Sequence, residues 1–320
     1  MTNPASVPAG AVAQVGPLMP SLEEILQGEF QAARLPDDIA SLDEEAAARV
    51  RVAVTSGRFG VPADLMAALP SLELVANFGV GYDTTDVAQA AARGILVTNT
   101  PDVLTDCVAD TALALLLDTF RGFGAAERFL RRGDWLAGNF PLTRRFSGSD
   151  VGILGLGRIG RAIARRAEGF GARVRYFSRR PVPGVLWDRT ESVEELARVS
   201  DALVVAIPGG PATDGIVDRA VLDALGPDGF LVNIARGSVV DEQALIDALA
   251  EGRIAGAGLD VFAHEPNVPE GLVRDNVTLL PHVGSGTIET RNDMRDLVIA
   301  NVRAHLAGDA LPTPVPETAP

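Results

Sequence analysis

Three residues whose side chains can carry acid, base or anion chemistry each follow a short apolar run in the second half of the chain. Arg236 lies in NIARGSVVDE, Glu265 in GLDVFAHEP and His282 in LLPHVGSGT. Open α/β folds bind ligands where the carboxyl ends of parallel strands meet, so we expect these three side chains to lie near one another. An arginine there can bind a carboxylate through two parallel hydrogen bonds, and a glutamate can support the protonated form of a histidine. The trio therefore predicts a site that holds a carboxylate and protonates a carbonyl oxygen.

Each of these residues also has an ordinary structural explanation. Arg236 is compatible with a surface salt bridge, Glu265 with a loop acid, and His282 with a buried, hydrogen-bonded histidine. We assign structural roles to His264, which abuts the proposed acid, and to His305, which lies late in the last predicted helix. The chemical interpretation is favoured because the three residues occur together and follow a glycine motif.

The glycine motif is GLGRIG, in which Gly155, Gly157 and Gly160 have the G-x-G-x-x-G spacing. The first glycine permits a tight turn, the second lets a pyrophosphate approach the backbone, and the third lets the helix pack on the strand. The run VGILG before it is typical of a buried strand, and RAIARRAEGFG after it is typical of a helix. This context predicts a dinucleotide site at the N-terminus of the helix rather than an ordinary strand-turn-helix.

The stretch RYFSRR at 175–180 indicates which dinucleotide is bound. An acid about 20 residues beyond such a motif would hold the ribose 2′-hydroxyl. Here the next strand ends in Ser178, Arg179 and Arg180. A hydroxyl and guanidinium groups can bind a 2′-phosphate, which a carboxylate would repel, so the stretch predicts a preference for NADPH. The alternative is a solvated arginine pair on a loop.

The elements that must position these residues alternate between strand and helix. The runs VRVAVTS, LELVANFG and ILVTN predict one parallel sheet, and a second series predicts another, from SDVGILG through RVRYFS, DALVVAIP, FLVNIARG, AGAGLDVF and VTLLPHVG. The expected fold class is therefore α/β with two doubly wound parallel-sheet domains. We also expect one long helical stretch over 105–132, a final helix after residue 286, a loose start at 1–10 and a frayed, proline-bearing tail at 308–320.

Composition excludes several classes of function. A formal net charge of −14 argues against nucleic-acid binding. All 28 basic residues are arginine, which removes lysine Schiff bases and the Walker lysine. The single cysteine, Cys107, cannot form an internal disulfide or a thiolate metal site, and no run approaches the roughly 18 apolar residues of a membrane helix. We expect no metal, no membrane segment and a cytoplasmic location.

The run of motifs from NTPDVLTDCVAD through GLGRIG, NIARGSVVDE, GAGLDVFAHEP and PHVGSGTIETR resembles the D-isomer-specific 2-hydroxyacid dehydrogenases. The resemblance is strongest to the glyoxylate/hydroxypyruvate reductases that prefer NADPH and to the similar plant hydroxyphenylpyruvate reductases. It implies a Rossmann domain for NADP at 105–285, inserted into a flavodoxin-like substrate-binding domain formed by 1–104 and 286–320. It also implies that His282 protonates the keto oxygen of a small 2-oxo acid while Glu265 supports the histidine and Arg236 orients the substrate.

The resemblance extends to binding residues and assembly. Val80 and Gly81 would donate backbone N–H groups to the substrate carboxylate, Arg236 would contact the substrate, and Trp135 would reach a partner subunit's active site in a homodimer. Small residues and free amides in NFGVGYD independently favour an anion-binding turn. The residues expected to bind the cofactor are Gly155, Gly157, Arg158, Ile159, Gly160, Ser178, Arg179, Arg180, Pro208, Thr213, Ile234, Ala235, Asp260 and Ser285.

Other functions stay open at this point. The substrate is expected to be glyoxylate or hydroxypyruvate, but Phe140 and Phe146 near Trp135 leave a larger aryl pyruvate possible. A nucleotide-sensing protein like the corepressors of this fold is a second hypothesis, which the complete trio disfavours. Phosphoglycerate and formate dehydrogenases are disfavoured by the arginines that follow Ser178. After Pro208 the family usually has Leu-Thr-Pro, whereas Gly209 and Gly210 stand here, so a contact to the cofactor is expected to be lost.

Overall fold

The computed structural model describes residues 10–319, and the chain divides into two compact units. The first unit comprises Met1–Leu104 and Thr287–Pro320, and the second comprises Thr105–Gly286. The loose start expected at 1–10 lies outside the described residues except for Gly10. Within 10–319 there is no helix of the length and apolar character that spanning a membrane requires.

The first unit is built on one parallel sheet. Its five strands run in the order β2-β1-β3-β4-β5, which is the flavodoxin order. The sheet and its helices comprise β1 (Val12–Gln14), α1 (Pro20–Phe30), β2 (Ala33–Arg34), α2 (Glu44–Arg49), β3 (Val52–Ser56), α3 (Ala63–Ala68), β4 (Leu74–Phe78), α4 (Val87–Ala92) and β5 (Leu96–Thr98), together with the late helix α11 (Ile288–Ala307). The sequence predicted β3, β4 and β5. It missed β1 and β2, which are too short to show a periodic pattern.

The C-terminal tail of this unit is not frayed, so that prediction was wrong. Val315 is 1% exposed, and its N–H donates to the carbonyl of Val97 at 2.8 Å. The Thr318 hydroxyl in turn accepts from the Val97 N–H at 2.9 Å. The tail thus satisfies the open edge of β5, and Pro314, which lies opposite Thr98, stands where the ladder needs no N–H donor.

The second unit is a seven-stranded parallel sheet in the order β12-β11-β10-β9-β6-β7-β8. The strand order reverses at β6, the first strand of this unit along the chain, as in the Rossmann fold. The prediction of two doubly wound α/β domains is therefore confirmed. Its elements are α5 (Thr105–Arg121), α6 (Phe123–Arg131), β6 (Asp150–Leu154), α7 (Arg158–Gly169), β7 (Arg173–Phe177), β8 (Asp188–Arg189), α8 (Val193–Arg198), β9 (Ala202–Val205), α9 (Arg219–Leu225), β10 (Phe230–Asn233), α10 (Glu242–Ala250), β11 (Gly256–Leu259) and β12 (Val277–Leu279). Six of the seven strands were predicted, and the two-residue β8 was not.

The long helical stretch expected over 105–132 is two helices. Gly122 has φ +60°, a left-handed conformation that ends α5, and the Asp118 carboxylate accepts the Gly124 N–H at 2.8 Å just beyond the break. One face of α5 is buried, including Val108 and Leu116, whereas α6 buries none of its residues within the chain. The sequence pattern missed the break because apolar residues continue on both sides of the glycine.

Short polar residues explain where several helices begin. The side chains of Asp43, Asp86, Ser192, Asp218, Asp241 and Thr287 each accept an N–H from the first turn of the helix that follows. Such caps satisfy amide groups that have no partner inside a helix. They start the helices at defined residues, and the loops between strand ends and helices are fixed accordingly.

Candidate active site

The glycine loop lies between β6 and α7, as the motif predicted. Gly155 has φ +98°, and a Cβ there would lie 2.6 Å from the Ala206 carbonyl. A Cβ on Gly160 would lie 2.0 Å from the Gly155 carbonyl, so both positions require glycine for close packing. A Cβ on Gly157 would instead meet nothing within 4 Å, and this exposed residue precedes the first turn of α7. The open space beside Gly157, at a helix N-terminus that includes Arg158 and Ile159, suits a pyrophosphate group.

A pocket of about 490 Å³ lies at the end of β7 and is lined by Ser178, Arg179 and Arg180. The Ser178 hydroxyl donates to the Arg180 carbonyl at 2.6 Å, which closes the turn. Arg179 and Arg180 are exposed, and neither pairs with a carboxylate within residues 10–319. On the preceding strand, by contrast, Arg173 and Arg175 both pair with Asp150. Two arginines that pair with no carboxylate of the described residues suit an anionic ligand.

Asn233 organises the turn that carries Arg236, a role that the sequence reasoning missed. Its side chain is 1% exposed, its Oδ1 accepts the Ala235 N–H at 3.0 Å, and its Nδ2 donates to the Arg236 carbonyl at 2.8 Å. Ile234 is buried beside it, and Arg236 Nη1 donates to the Ala235 carbonyl at 2.8 Å. A buried polar residue that ends a strand is the signal that could have identified Asn233.

His282 and Glu265 form a direct hydrogen bond, with 2.8 Å between Nδ1 and Oε2. The other oxygen, Oε1, accepts the Phe262 N–H at 3.2 Å. Burial raises the pKa of Glu265, but the bond to His282 and the charges of His282 and Arg236 outweigh it, so the pKa is below its ordinary value. Glu265 is therefore ionised at neutral pH and fixes the proton of the imidazole on Nδ1. The His282 side chain is 44% exposed, and its Nδ1 is engaged by Glu265, so Nε2 is the ring atom that can meet a substrate.

Asp260 supports the loop that carries His282. Its side chain is 2% exposed, and its two oxygens accept the N–H groups of Val283 at 2.7 Å and Gly284 at 2.8 Å. Its backbone carbonyl accepts the His282 N–H at 2.8 Å. Burial raises the pKa of Asp260, although these N–H bonds and the charge of His282 partly oppose that effect. His282 has φ +53°, and the three bonds hold this left-handed conformation, which a histidine seldom adopts.

Asp260 and Ser285 were expected to contact a cofactor. The structure shows the Asp260 carboxylate engaged by the loop backbone, and Ser285 follows that loop in a half-buried position. Thr213 was also assigned to the cofactor, but its hydroxyl donates to the Pro208 carbonyl at 2.7 Å. Its N–H donates to the Gly210 carbonyl at 2.9 Å, so the glycine-bearing loop after β9 is closed by bonds of its own.

The remaining predicted substrate-binding residues are Val80 and Gly81 in the first unit and Trp135 in the second. Val80 and Gly81 follow β4 in a half-buried turn, and their N–H groups donate to no acceptor within residues 10–319. Trp135, in a short 3-10 helix (Asp134–Leu136) after α6, is 64% exposed. No cluster of three or more potential metal ligands occurs in the described part of the chain.

The glycine loop, the arginine pocket and the supported histidine are features typical of nucleotide-dependent dehydrogenases. Residues 113–284 match the family model of the D-isomer specific 2-hydroxyacid dehydrogenase NAD binding domain. The chain belongs to the D-isomer specific 2-hydroxyacid dehydrogenase family.

Similar proteins cover nearly the whole chain. A hydroxyphenylpyruvate reductase from Plectranthus scutellarioides is 50% identical over 302 residues, which are 93% of this chain and 96% of the relative. A glyoxylate/hydroxypyruvate reductase A from Arabidopsis thaliana is 53% identical over 267 residues, 83% of this chain and 85% of the relative. Among solved structures, the NADPH-dependent glyoxylate/hydroxypyruvate reductase from Sinorhizobium meliloti, in complex with NADP and malonate, matches with 49% identity and a TM-score of 0.91. That match covers 96% of this chain and 97% of the other.

Proposed function

We propose that this protein is an NADPH-dependent reductase that converts a small 2-oxo acid, glyoxylate or hydroxypyruvate, into the D-2-hydroxy acid. The observation that carries the proposal is the hydrogen bond between His282 and Glu265 on a loop held by Asp260. In this proposal, residues 105–285 bind NADP, and residues 1–104 with 286–320 bind the substrate. Three relatives that span most of the chain are named as reductases of glyoxylate, hydroxypyruvate or hydroxyphenylpyruvate.

The residues at the nucleotide site fit NADPH. The space beside Gly157 can admit the pyrophosphate to the first turn of α7, and the pocket lined by Ser178, Arg179 and Arg180 offers a hydroxyl and two guanidinium groups for the 2′-phosphate. None of these three residues has a carboxylate, which would repel that phosphate. The solved relative from Sinorhizobium meliloti contains NADP.

Each side chain at the site has a separate role in the proposed reduction. When bound, the cofactor supplies the hydride. Arg236 binds the substrate carboxylate, to which Val80 and Gly81 also donate N–H groups. His282 donates the proton on Nε2 to the keto oxygen as that oxygen becomes an alkoxide, and Glu265 stabilises the imidazolium from which the proton leaves. Two loops of the nucleotide unit border the cofactor, one after β9 with Pro208 and Thr213 and one after β10 with Ile234 and Ala235. Trp135 reaches the active site of a partner subunit.

An aryl pyruvate is the second candidate substrate. The observation that favours it is the 50% identity to a hydroxyphenylpyruvate reductase over 93% of this chain. Glyoxylate and an aryl pyruvate share the 2-oxo acid group, which Arg236 and His282 recognise, and differ only in the group beyond it. The same catalytic residues serve both reactions, and the loops around the distal group decide between them.

We also propose that the protein acts as a homodimer in the cytoplasm. Helix α6 buries no residue within the chain, and Phe123 and Leu130 on it are 51% and 56% exposed. Trp135 and Leu136, just beyond it, are 64% and 97% exposed, so this segment presents four large apolar side chains to solvent. A second copy of the chain would bury them. The single cysteine is compatible with a reducing compartment.

The test is the initial rate of cofactor oxidation with glyoxylate, hydroxypyruvate and 4-hydroxyphenylpyruvate, each with NADPH and with NADH. We expect fast turnover with NADPH, at least one active substrate, and loss of activity in the His282→Ala protein. The Arg179→Ala variant should narrow the preference for NADPH about tenfold, as expected for loss of one charge-assisted bond. The matched control is Arg219→Ala, which removes an exposed arginine at the start of α9. Tight NADPH binding without turnover of any 2-oxo acid would instead favour a sensing role.

A further inference from the structure

We propose that Asn77, assisted by Asn99, is a positioning residue that turns three consecutive backbone N–H groups toward the substrate carboxylate. The three N–H groups belong to Val80, Gly81 and Tyr82. The inference rests on the proposed function, in which Val80 and Gly81 bind that carboxylate, and it adds the groups that orient them together with a third donor.

The contacts begin at the end of β4. Asn77, on β4 itself, donates from Nδ2 to the carbonyls of Gly79 and Gly81, each at 3.0 Å. Asn99, which follows β5, donates from Nδ2 to the Val80 carbonyl at 2.9 Å. Three successive carbonyls of the turn are therefore held by two asparagine amides. The Thr100 N–H adds a second bond to the Gly79 carbonyl at 3.0 Å.

These bonds fix the direction of the N–H groups. In a trans peptide the N–H of one residue points opposite to the carbonyl of the residue before it. The N–H groups of Val80 and Tyr82 consequently point away from Asn77, and the N–H of Gly81 points away from Asn99. Both asparagines come from the strand ends, so the N–H groups point away from the sheet. None of the three donates to an acceptor within residues 10–319, which leaves them for an anion.

The state of the Asn77 side chain indicates why an asparagine is required. The residue is 0% exposed, and its Oδ1 is buried with no hydrogen-bond partner among the described residues. Leaving a buried amide oxygen unpaired is unfavourable, whereas Nδ2 of the same side chain makes two hydrogen bonds, so the role of this side chain in the turn is that of a donor. The opposite orientation of the amide would place Oδ1 against two carbonyl oxygens. Aspartate has the same shape but lacks the donors, and its charge would repel the substrate.

The experiment compares Asn77→Ser with a matched variant, Asn301→Ser. Asn301 is 1% exposed and lies in the same unit, but its amide bonds go to Leu297 on α11 and to Thr313 in the tail. For each protein we would measure kcat and KM for glyoxylate and hydroxypyruvate, the Kd of NADPH, and the melting temperature. The Kd of malonate, measured by calorimetry, reports carboxylate binding without turnover.

We expect Asn77→Ser to raise KM and the Kd of malonate about tenfold or more, because the N–H donors lose their fixed direction. It should change kcat less than about threefold and leave the Kd of NADPH unchanged, since the interaction lost is made equally in the ground and transition states. Asn301→Ser should lower the melting temperature and leave KM and the Kd of malonate as in the wild type.

Equal changes of KM and malonate affinity in the two variants would show that Asn77 is merely structural, and would overturn the inference. If Asn77→Ser does not fold, Asn99→Ser decides, because it frees only the Val80 carbonyl. It should raise the Kd of malonate about threefold, and an unchanged value would overturn the inference. A wild-type protein that turns over no 2-oxo acid would contradict the proposed function instead, and the malonate titrations of the variants would still test the positioning role.

Discussion

The described residues contain two histidine–glutamate pairs with nearly equal geometry and opposite surroundings. In the second unit, His282 Nδ1 lies 2.8 Å from Glu265, and the side chains are 44% and 22% exposed. In the first unit, His305 Nε2 lies 3.0 Å from Glu73, and the side chains are 13% and 44% exposed. In the His282–Glu265 pair the ring is more exposed than the acid, and in the His305–Glu73 pair the acid is more exposed than the ring.

The partners of the two acids differ as well. Arg51 donates to both oxygens of Glu73, at 3.0 and 2.8 Å, so the charge of this carboxylate is balanced by an arginine, which stays protonated. That hydrogen bond is the main reason why the pKa of Glu73 is below its ordinary value. For Glu265, the strongest influence that lowers the pKa is instead the hydrogen bond to His282. The His282–Glu265 pair can therefore support a change of charge on the ring. The His305–Glu73 pair instead ties α11 to the residue just before β4.

The ring atom used completes the contrast. His282 is held through Nδ1, next to its own backbone, so the distal atom Nε2 is left to face a ligand. His305 is held through its distal atom, so the tip of the ring is occupied. A histidine–glutamate distance alone thus does not identify a catalytic pair. Exposure of the ring and the identity of the bound nitrogen do.

The largest expected effect separates the two histidines directly. His282→Ala should lower kcat about 10³-fold, within the range for loss of a general acid, and leave the Kd of NADPH unchanged. His305→Ala should keep kcat within about twofold of the wild type and cost roughly 1–2 kcal/mol of stability, since it removes a hydrogen bond and leaves a cavity. Steady-state kinetics and thermal melts on the same preparations measure both quantities. A large loss of kcat in His305→Ala would break the comparison.

Much of this contrast could be predicted from the sequence. Arg236, Glu265 and His282 each follow an apolar run, and parallel strands bring their ends to one edge, so their proximity needed only the strand pattern. His305 was assigned a structural role from its place late in a helix. The strands β3 to β7 and β9 to β12 followed from the alternation of apolar runs with helical segments.

What the sequence could not predict depends on contacts between distant residues. The left-handed backbone of His282 requires the Asp260 carboxylate, and the role of Asn77 requires a turn whose carbonyls face it. A frayed tail is the expectation from its prolines, which are common in disordered ends, but hydrogen bonds to the free edge of β5 hold the tail in place. Periodicity describes one segment at a time and contains no information about which groups meet.

The second prediction concerns the two acids. Glu265→Gln should lower kcat about 10- to 100-fold, because a bond to a charged group contributes about 1.5–3 kcal/mol. Glu73→Gln should leave kcat unchanged. Steady-state kcat values for both variants at neutral pH check this, and an unchanged kcat in Glu265→Gln would argue against the assigned role.

The third prediction tests how the ring is held. His305 lies on a helix, whereas His282 depends on the Asp260 carboxylate that accepts two loop N–H groups. Asp260→Asn replaces one acceptor with a donor that faces an N–H, so the loop should shift and kcat should fall about tenfold. The control is Asp241→Asn at the cap of α10, where asparagine remains an effective cap and kcat should not change. Full activity of Asp260→Asn would show that the loop keeps its shape without this carboxylate.

The smallest expected effect is the dependence of stability on pH. The pKa of Glu73 and that of Glu265 are both lowered from 4.5, so each ionised acid stabilises the folded state above pH 4.5. This stabilisation is lost as the pH falls through the lowered pKa.

Glu73→Gln should therefore have a lower melting temperature than the wild type at pH 7, and the difference in melting temperature should shrink toward zero in acid. Because the Glu73 side chain is 44% exposed, solvent screening limits the effect to about 1 kcal/mol or less. A difference that stayed the same on acidification would mean that Glu73 acts through its shape rather than its charge, and the structural pair would then owe its stability to packing around His305.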